Sequence, residues 1–181
     1  MSEKQILALI GPAGSGKSTL ADLLVEHRGF IRLSFAAPIK QMLKVILDSQ
    51  GATRSEVHRM LYGNLKEVPT LFLSGRSPRH AMQTLGTEWR DLMNRDLWTN
   101  IWTRSAQFIP KIIVDDMRFT HEAAVVRDLG GKIVQIDRPG FGPGEHLSEK
   151  DYLNIKPDFT INNDVNPETL LVRLLETGVL G

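Results

Sequence analysis

Residues 11–18 read Gly-Pro-Ala-Gly-Ser-Gly-Lys-Ser and fit the spacing G-x-x-x-x-G-K-S/T. The chemistry of such a run is anion binding. Glycines let the backbone curl so that successive N–H groups point inward, and a helix starting at the lysine adds the positive end of its dipole. Gly11, Ala13, Gly14, Ser15, Gly16, Lys17, Ser18 and Thr19 are therefore the candidate cradle for the phosphates of a nucleotide. Within it Lys17 is expected to reach the β- and γ-phosphates, and the Ser18 hydroxyl to ligate Mg²⁺. The alternative is a glycine-rich turn with a surface lysine. The context speaks against it, because an apolar run over 6–10 precedes the motif and an amphipathic stretch over 17–26 follows.

Two further stretches carry chemistry. "KIIVDDMRF" delivers Asp115 and Asp116 to the end of an apolar run, where ligands bind in open α/β sheets. They are candidates for holding the metal or its waters, or for capping the helix that follows. In "SGRSPRHAMQTLGTEWRDLM" a turn of about 100° per residue brings Arg79, Gln83, Gly86 and Arg90 onto one band. Met82, Leu85, Trp89 and Leu92 form the apolar stripe beside it. Arginine suits a two-pronged grip on phosphate, glutamine can both donate to and accept from a base edge, and Gly86 leaves room for a flat ring. The same band also reads as a solvated face with ion pairs to Glu88 or Asp91, and Trp89, Trp98 and Trp102 as core residues or as stacking platforms.

Positioning these residues requires an α/β sheet. Short apolar runs at 6–10, 31–33, 112–114, 133–136 and 159–161 alternate with helical stretches, the pattern of buried parallel strands joined by helical crossovers. The periodicity predicts helices over 38–47, 55–61, 78–94 and 96–108, the second introduced by the capping box Thr53-x-x-Glu56, and a closing helix after Pro167. The stretch 138–146, "RPGFGPGEH", breaks regular structure.

Composition sets the limits. With 181 residues, 41% of them hydrophobic, the chain suits one compact domain. A net charge of +1 supplies no bulk field toward nucleic acid or anionic lipid. The absence of cysteine excludes disulfides, thiolate zinc sites and a cysteine nucleophile. No apolar run reaches the roughly 18 residues of a membrane span, and "MSEKQILALIGP" carries no cleavable signal pattern, so a soluble cytoplasmic protein is expected.

Taken together, "GPAGSGKST", "SFAAPIK" (34–40), "RHAMQTLGTEWR" (79–90), "DMRFTHEA" (116–123), "GGKIVQIDRP" (130–139), "HLSE" (146–149) and "DFTINND" (158–164) resemble the phage-type deoxynucleoside monophosphate kinases, a branch of the P-loop nucleoside monophosphate kinases. Arg79-x-x-x-Gln83-x-x-Gly86 followed by Asp116-x-Arg118-Phe119 is the discriminating part, since the P-loop alone selects no member of its superfamily.

The resemblance implies a three-layer P-loop fold with a five-stranded parallel sheet flanked by helices, a helical acceptor-binding insertion over about 36–109 and a lid-like loop over about 138–157. It also implies transfer of the ATP γ-phosphate to a deoxynucleoside monophosphate. Asp116 would support Mg²⁺, Arg118 would neutralise the acceptor phosphate or the transferring group, and Arg138 would clamp ATP. Lys40, Arg76, Arg79, Gln83, Arg90 and Trp98 would line the monophosphate site. Asn163 would contact adenine or serve as a turn residue. No stable nucleic-acid or membrane partner is expected. Apolar residues on the paired helices serve a core or a homodimer interface equally. The rival readings are a dephospho-coenzyme A or other small-metabolite kinase and, in another class, a DNA-associated ATPase.

Overall fold

A computed structural model of the chain describes residues 4–142, 151–164 and 166–180. The expected loop residues His146 and Lys150 lie outside the described residues. Contacts divide the chain into a unit of residues 1–35 with 101–181 and a unit of residues 36–100.

The first unit is built on five parallel strands, β1 (Gln5–Ile10), β2 (Ile31–Arg32), β3 (Lys111–Val114), β4 (Lys132–Asp137) and β5 (Phe159–Asn162), in the order β2-β3-β1-β4-β5. In the register of the sheet Leu7 lies between Ile113 of β3 and Lys132 of β4. The central strands are apolar on both faces because both faces are covered. Ile6, Ala8 and Ile10 of β1 pack with Ile112, Ile133, Val126 and Trp102, while Leu7 and Leu9 pack on the other face with Leu20, Leu24, Leu170 and Leu174. Alternation along a strand separates the two sets.

Helix α1 (Lys17–Arg28) follows β1, and the closing helix (Pro167–Glu176) is capped by the Asn166 side chain, with Pro167 in its first turn. The helix Thr120–Asp128 makes the crossover from β3 to β4, which run parallel on opposite sides of β1. The reading of 31–33 as a buried strand needs correction: β2 is two residues long and Ile31 is 50% exposed, because this strand forms the sheet edge. Within the expected loop 138–157, Tyr152 and Ile155 are buried in the core beside Ile133, and Asp151–Asn154 forms a 3₁₀ turn.

The second unit is helical: α2 (Ala37–Ser49), α3 (Arg54–Tyr62) and α4 (Pro78–Thr84) enclose Leu43, Leu47, Val57, Met60 and Leu61. The capping box at Thr53 and Glu56 is formed. The single helix expected over 78–94 is interrupted. Leu85–Trp89 is π-helical, and α5 (Arg90–Met93) is only a short continuation. One π turn inserts one residue, so everything beyond it rotates by about 100° relative to an unbroken α-helix. The expected apolar stripe therefore breaks, and Leu92 is 85% exposed. Helix α6 (Leu97–Ala106) ends before Phe108, which stands in solvent.

Candidate active site

The phosphate cradle forms at the carboxyl end of β1. Gly11, Gly14 and Gly16 all have positive φ, of 138°, 77° and 105°, the left-handed region that glycine enters without a Cβ penalty. A Cβ at Gly11 would lie 2.5 Å from the Ile136 carbonyl oxygen, and one at Gly16 would lie 2.4 Å from the Asn163 amide nitrogen. The loop is thus pressed against β4 and the end of β5 by its glycines. Gly16 is the N-cap of α1, no side chain among the described residues caps this helix, and no first-turn residue is acidic. A helix start that is capped by glycine and has no acid in its first turn offers an anion the positive end of its dipole, which is the chemistry of a phosphate site. The buried Ser15 hydroxyl has no hydrogen-bond partner among the described residues.

The side chains around the cradle are held by specific bonds. The Lys17 ammonium donates to the carbonyls of Gly11 (2.8 Å) and Pro12 (2.7 Å), so its charge is held over the loop. Lys17 lines one cleft together with Gly11, Pro12, Ala13, Asp116, Met117, Arg118 and Tyr152. Ser18 and Thr19 are exposed in the first turn of α1.

The two aspartates part company here. Asp116 lines the cleft, and its Oδ1 accepts the Phe35 backbone N–H at 3.0 Å. Asp115 is not among the cleft-lining residues, and its carboxylate lies 3.7 Å from the Arg32 guanidinium. Arg32 also donates to the Ser18 carbonyl and to Asp22, both at 2.9 Å. Of the two candidate aspartates, Asp116 thus faces the cleft and Asp115 is turned toward a cation of the chain itself.

Arg138 donates to the Gly14 carbonyl at 2.8 Å and lies 4.6 Å from the centroid of the Phe141 ring. That ring occupies the space into which a Gly14 Cβ would project. Asn163, expected to contact adenine or to serve as a turn residue, is tied to the cradle. Its amide donates to the Ser15 carbonyl at 2.7 Å in a buried bond, and its backbone N–H bonds the Asp137 carbonyl. Through these bonds the residue ties the end of β5 to the cradle and to β4.

In the helical unit, Arg79 pairs with Glu67 (2.7 Å), Arg90 pairs with Asp91 (2.7 Å), and the Lys40 ammonium lies 4.5 Å from the Tyr62 ring centroid. Gln83 is half-buried and Arg76 is exposed. The single band of Arg79, Gln83, Gly86 and Arg90 does not survive the π turn, which displaces Arg90 around the axis. Nor is Gly86 open for a flat ring, since the Ile39 Cδ1 atom lies 3.3 Å from where its Cβ would stand. Trp98, expected to line the substrate site, is 7% exposed, and its indole N–H donates to the Gly86 carbonyl at 3.2 Å. It belongs to the packing beneath the helix, and Trp102 is likewise core, stacked on Phe35.

Sequence reasoning missed Glu122, Tyr152, Arg32 and Phe141. The first had a signal, an acid three residues after Phe119 where an N-terminal cap is made. It is buried, and it accepts the backbone N–H groups of Arg118 (2.8 Å) and Phe119 (3.1 Å). Burial, assisted by the Asp116 charge, pushes its pKa up to about 8. Tyr152 has no local signal, because only the fold brings it to the cleft.

Among family models, the one described as deoxynucleotide monophosphate kinase matches residues 61–174. The chain is 32% identical over 171 residues to a putative deoxynucleotide monophosphate kinase of Acanthamoeba polyphaga mimivirus, covering 83% of each protein. A shorter stretch of 70 residues is 36% identical to the cytidylate kinase of Thermotoga maritima, covering 39% of this chain and 31% of that one. Among solved structures, the shikimate kinase of Aquifex aeolicus aligns with a TM-score of 0.46 at 15% identity, over 97% of this chain and 99% of the other.

Proposed function

Because the chain belongs to the deoxynucleotide monophosphate kinase family, a family of phosphotransferases, we propose that it transfers the γ-phosphate of ATP to a deoxynucleoside 5'-monophosphate and releases the diphosphate. One observation carries the assignment of roles. Cradle residues Gly11 to Ala13 and Lys17 share a single cleft with Asp116 and Arg118.

In-line phosphoryl transfer asks little covalent chemistry of the protein; it asks alignment and compensation of charge. The acceptor phosphate is already an anion at neutral pH, so no general base is needed, and its repulsion from the donor is the difficulty. Lys17 exchanges its carbonyl partners for the donor's β- and γ-phosphates, while the first-turn N–H groups of α1 bind phosphate oxygens. Arg118 offsets charge on the acceptor phosphate or on the group in transit. Arg138, already at the cradle through Gly14, clamps the donor. Arg79 and Gln83, on α4 before the π turn, receive the monophosphate, with Lys40 and Arg76 as further cations of the same unit.

The donor set fits Mg²⁺. Ser18 in the first turn of α1 offers a hydroxyl and Asp116 in the cleft one carboxylate, and Mg²⁺ is usually held by one or two carboxylates, water and substrate phosphates. Ser18 and Asp116 are the residues that would hold it, and it would supply neutralisation of phosphate charge.

The test is an ADP-release assay with Mg-ATP and each of dCMP, dAMP, dGMP and dTMP, with CMP and dephospho-coenzyme A as comparisons and product mass measured. The partial match to a cytidylate kinase makes dCMP the first acceptor to try. Acceptor-dependent ADP with a deoxynucleoside diphosphate as product is expected, lost by at least about a hundred-fold in Lys17→Ala. ADP formed equally without acceptor would overturn the kinase reading and favour an ATPase.

A further inference from the structure

We propose that Glu122 is a positioning residue for Arg118: by accepting the backbone N–H groups of Arg118 and Phe119 it fixes the backbone from which the arginine is presented to the phosphate cleft. The inference rests on the reading of Arg118 as a cation of the transfer.

The helix Thr120–Asp128 has Phe119 as its N-cap, so the bond to the Phe119 N–H is ordinary capping. The bond to Arg118 is not. It reaches one residue beyond the cap, into the loop that carries Asp116, Met117 and Arg118. A comparison within the same chain makes the difference plain. Glu56 occupies the corresponding position of α3, and its two bonds both go to the cap residue, to the backbone N–H and the hydroxyl of Thr53.

The energetics also differ. Those bonds hold the Glu56 carboxyl below its usual range, whereas burial drives Glu122 the other way, to about 8. A helix start needs no buried carboxyl, since serine, threonine or aspartate at the cap does the same work at the surface. What the buried carboxyl adds here is a tether on the loop from the helix side. Asp116 supplies a second tether through the Phe35 N–H, and Met117 between them is 1% exposed. The Arg118 backbone is thus pinned on both sides at the point where Arg118 lines the cleft. Misplacing a charge by about an ångström in a transfer site costs up to a hundred-fold in rate, so a loosened loop is expected to show in kcat.

The experiment compares Glu122→Met, which keeps side-chain length and removes both acceptor oxygens, with Glu122→Gln, which keeps an acceptor, each alone and combined with Arg118→Ala. In steady-state assays below the melting temperature, Glu122→Met is expected to lower kcat by about ten-fold or more, with the KM for ATP within about two-fold of wild type. Glu122→Gln is expected to restore kcat to within about three-fold. On the Arg118→Ala background, Glu122→Met is expected to change kcat by less than about two-fold, because the residue it positions is gone.

A wild-type kcat in Glu122→Met, with only its melting temperature lowered, would overturn the proposal and leave a helix cap. So would a further ten-fold loss on the Arg118→Ala background. A wild-type kcat in Arg118→Ala itself overturns the premise, and the proposal with it. If Glu122→Met does not accumulate folded, Glu122→Asp takes its place, since one methylene less withdraws the acceptor from the Arg118 N–H, and the same ten-fold loss is expected.

Discussion

At the scale of single residues, the cradle shows how a backbone conformation and one buried amide define a binding surface. Gly16 combines a φ of 105° with a Cβ position 2.4 Å from the Asn163 amide nitrogen. Gly16→Ala therefore meets both left-handed strain, about 1–2 kcal/mol, and a clash that only displacement of Asn163 relieves. Asn163→Ala leaves the loop conformation allowed but strips the buried Ser15 carbonyl of its donor, at about 1–3 kcal/mol. Both variants are expected to bind an ATP analogue at least about five-fold more weakly by calorimetry. The Asn163 variant should do so for every nucleoside triphosphate alike. A loss confined to adenine nucleotides would return Asn163 to base recognition. The cradle itself was legible in the sequence, because its residues are contiguous and each glycine answers a local backbone demand. The role of Asn163 was not, since its partner lies far away in the chain and is a carbonyl that no side-chain pattern records.

At the scale of elements, the helix that carries Arg79 and Gln83, proposed here for the acceptor, matters through its register. Periodicity assumes a constant turn per residue, and the π segment Leu85–Trp89 breaks that assumption at one point. The buried Trp98 indole donates to the Gly86 carbonyl inside this segment, and the Trp89 and Trp98 rings lie 5.7 Å apart. Trp98→Phe keeps an aromatic ring and removes the N–H. It is expected to raise the KM for the monophosphate by about three- to ten-fold, leave the KM for ATP within about two-fold, and lower stability by about 1 kcal/mol. Steady-state titration of each substrate checks this, and an unchanged monophosphate KM would remove Trp98 from the positioning of this helix. The strands repay the same comparison. Continuous apolar runs identified β1, β3 and β4, which are buried on both faces, whereas β2, Ile31–Arg32, is a two-residue edge. Composition reports how apolar a run is, while its place in the sheet decides how much of it is covered.

At the scale of the whole molecule, Glu122 couples the site to stability. Its pKa is raised to about 8 from an ordinary 4.5, so between these values the folded chain holds a proton that the unfolded chain has lost. The stabilisation associated with the neutral carboxyl is complete below about 4.5 and is lost as pH rises through about 8. One proton contributes a slope of at most about 1.4 kcal/mol per pH unit, or about 2–5 °C in a chain of this size. The melting temperature of wild type is therefore expected to fall between pH 5 and pH 8 relative to Glu122→Gln, measured by thermal denaturation across that range. Parallel curves for the two proteins would contradict the buried, protonated carboxyl. Charge at this scale points the same way as the site, since a net charge of +1 leaves anion recognition to local clusters. Addition of duplex DNA is expected to leave nucleotide turnover unchanged.

The sequence by itself determined what is local and repeated: a phosphate cradle, an α/β alternation with its parallel strands, a capping box and the pattern Asp116-x-Arg118-Phe119, all set by short-range backbone and burial rules. The tertiary structure alone decided which of two adjacent aspartates lines the cleft, that Asn163 holds the cradle, that Trp98 is buried beneath the Gly86 turn, and that Glu122 ties the Arg118 loop. Those assignments depend on which side of a strand end a side chain leaves and on hydrogen bonds to backbone groups of residues elsewhere in the fold. Every residue carries such groups, so no residue type announces them.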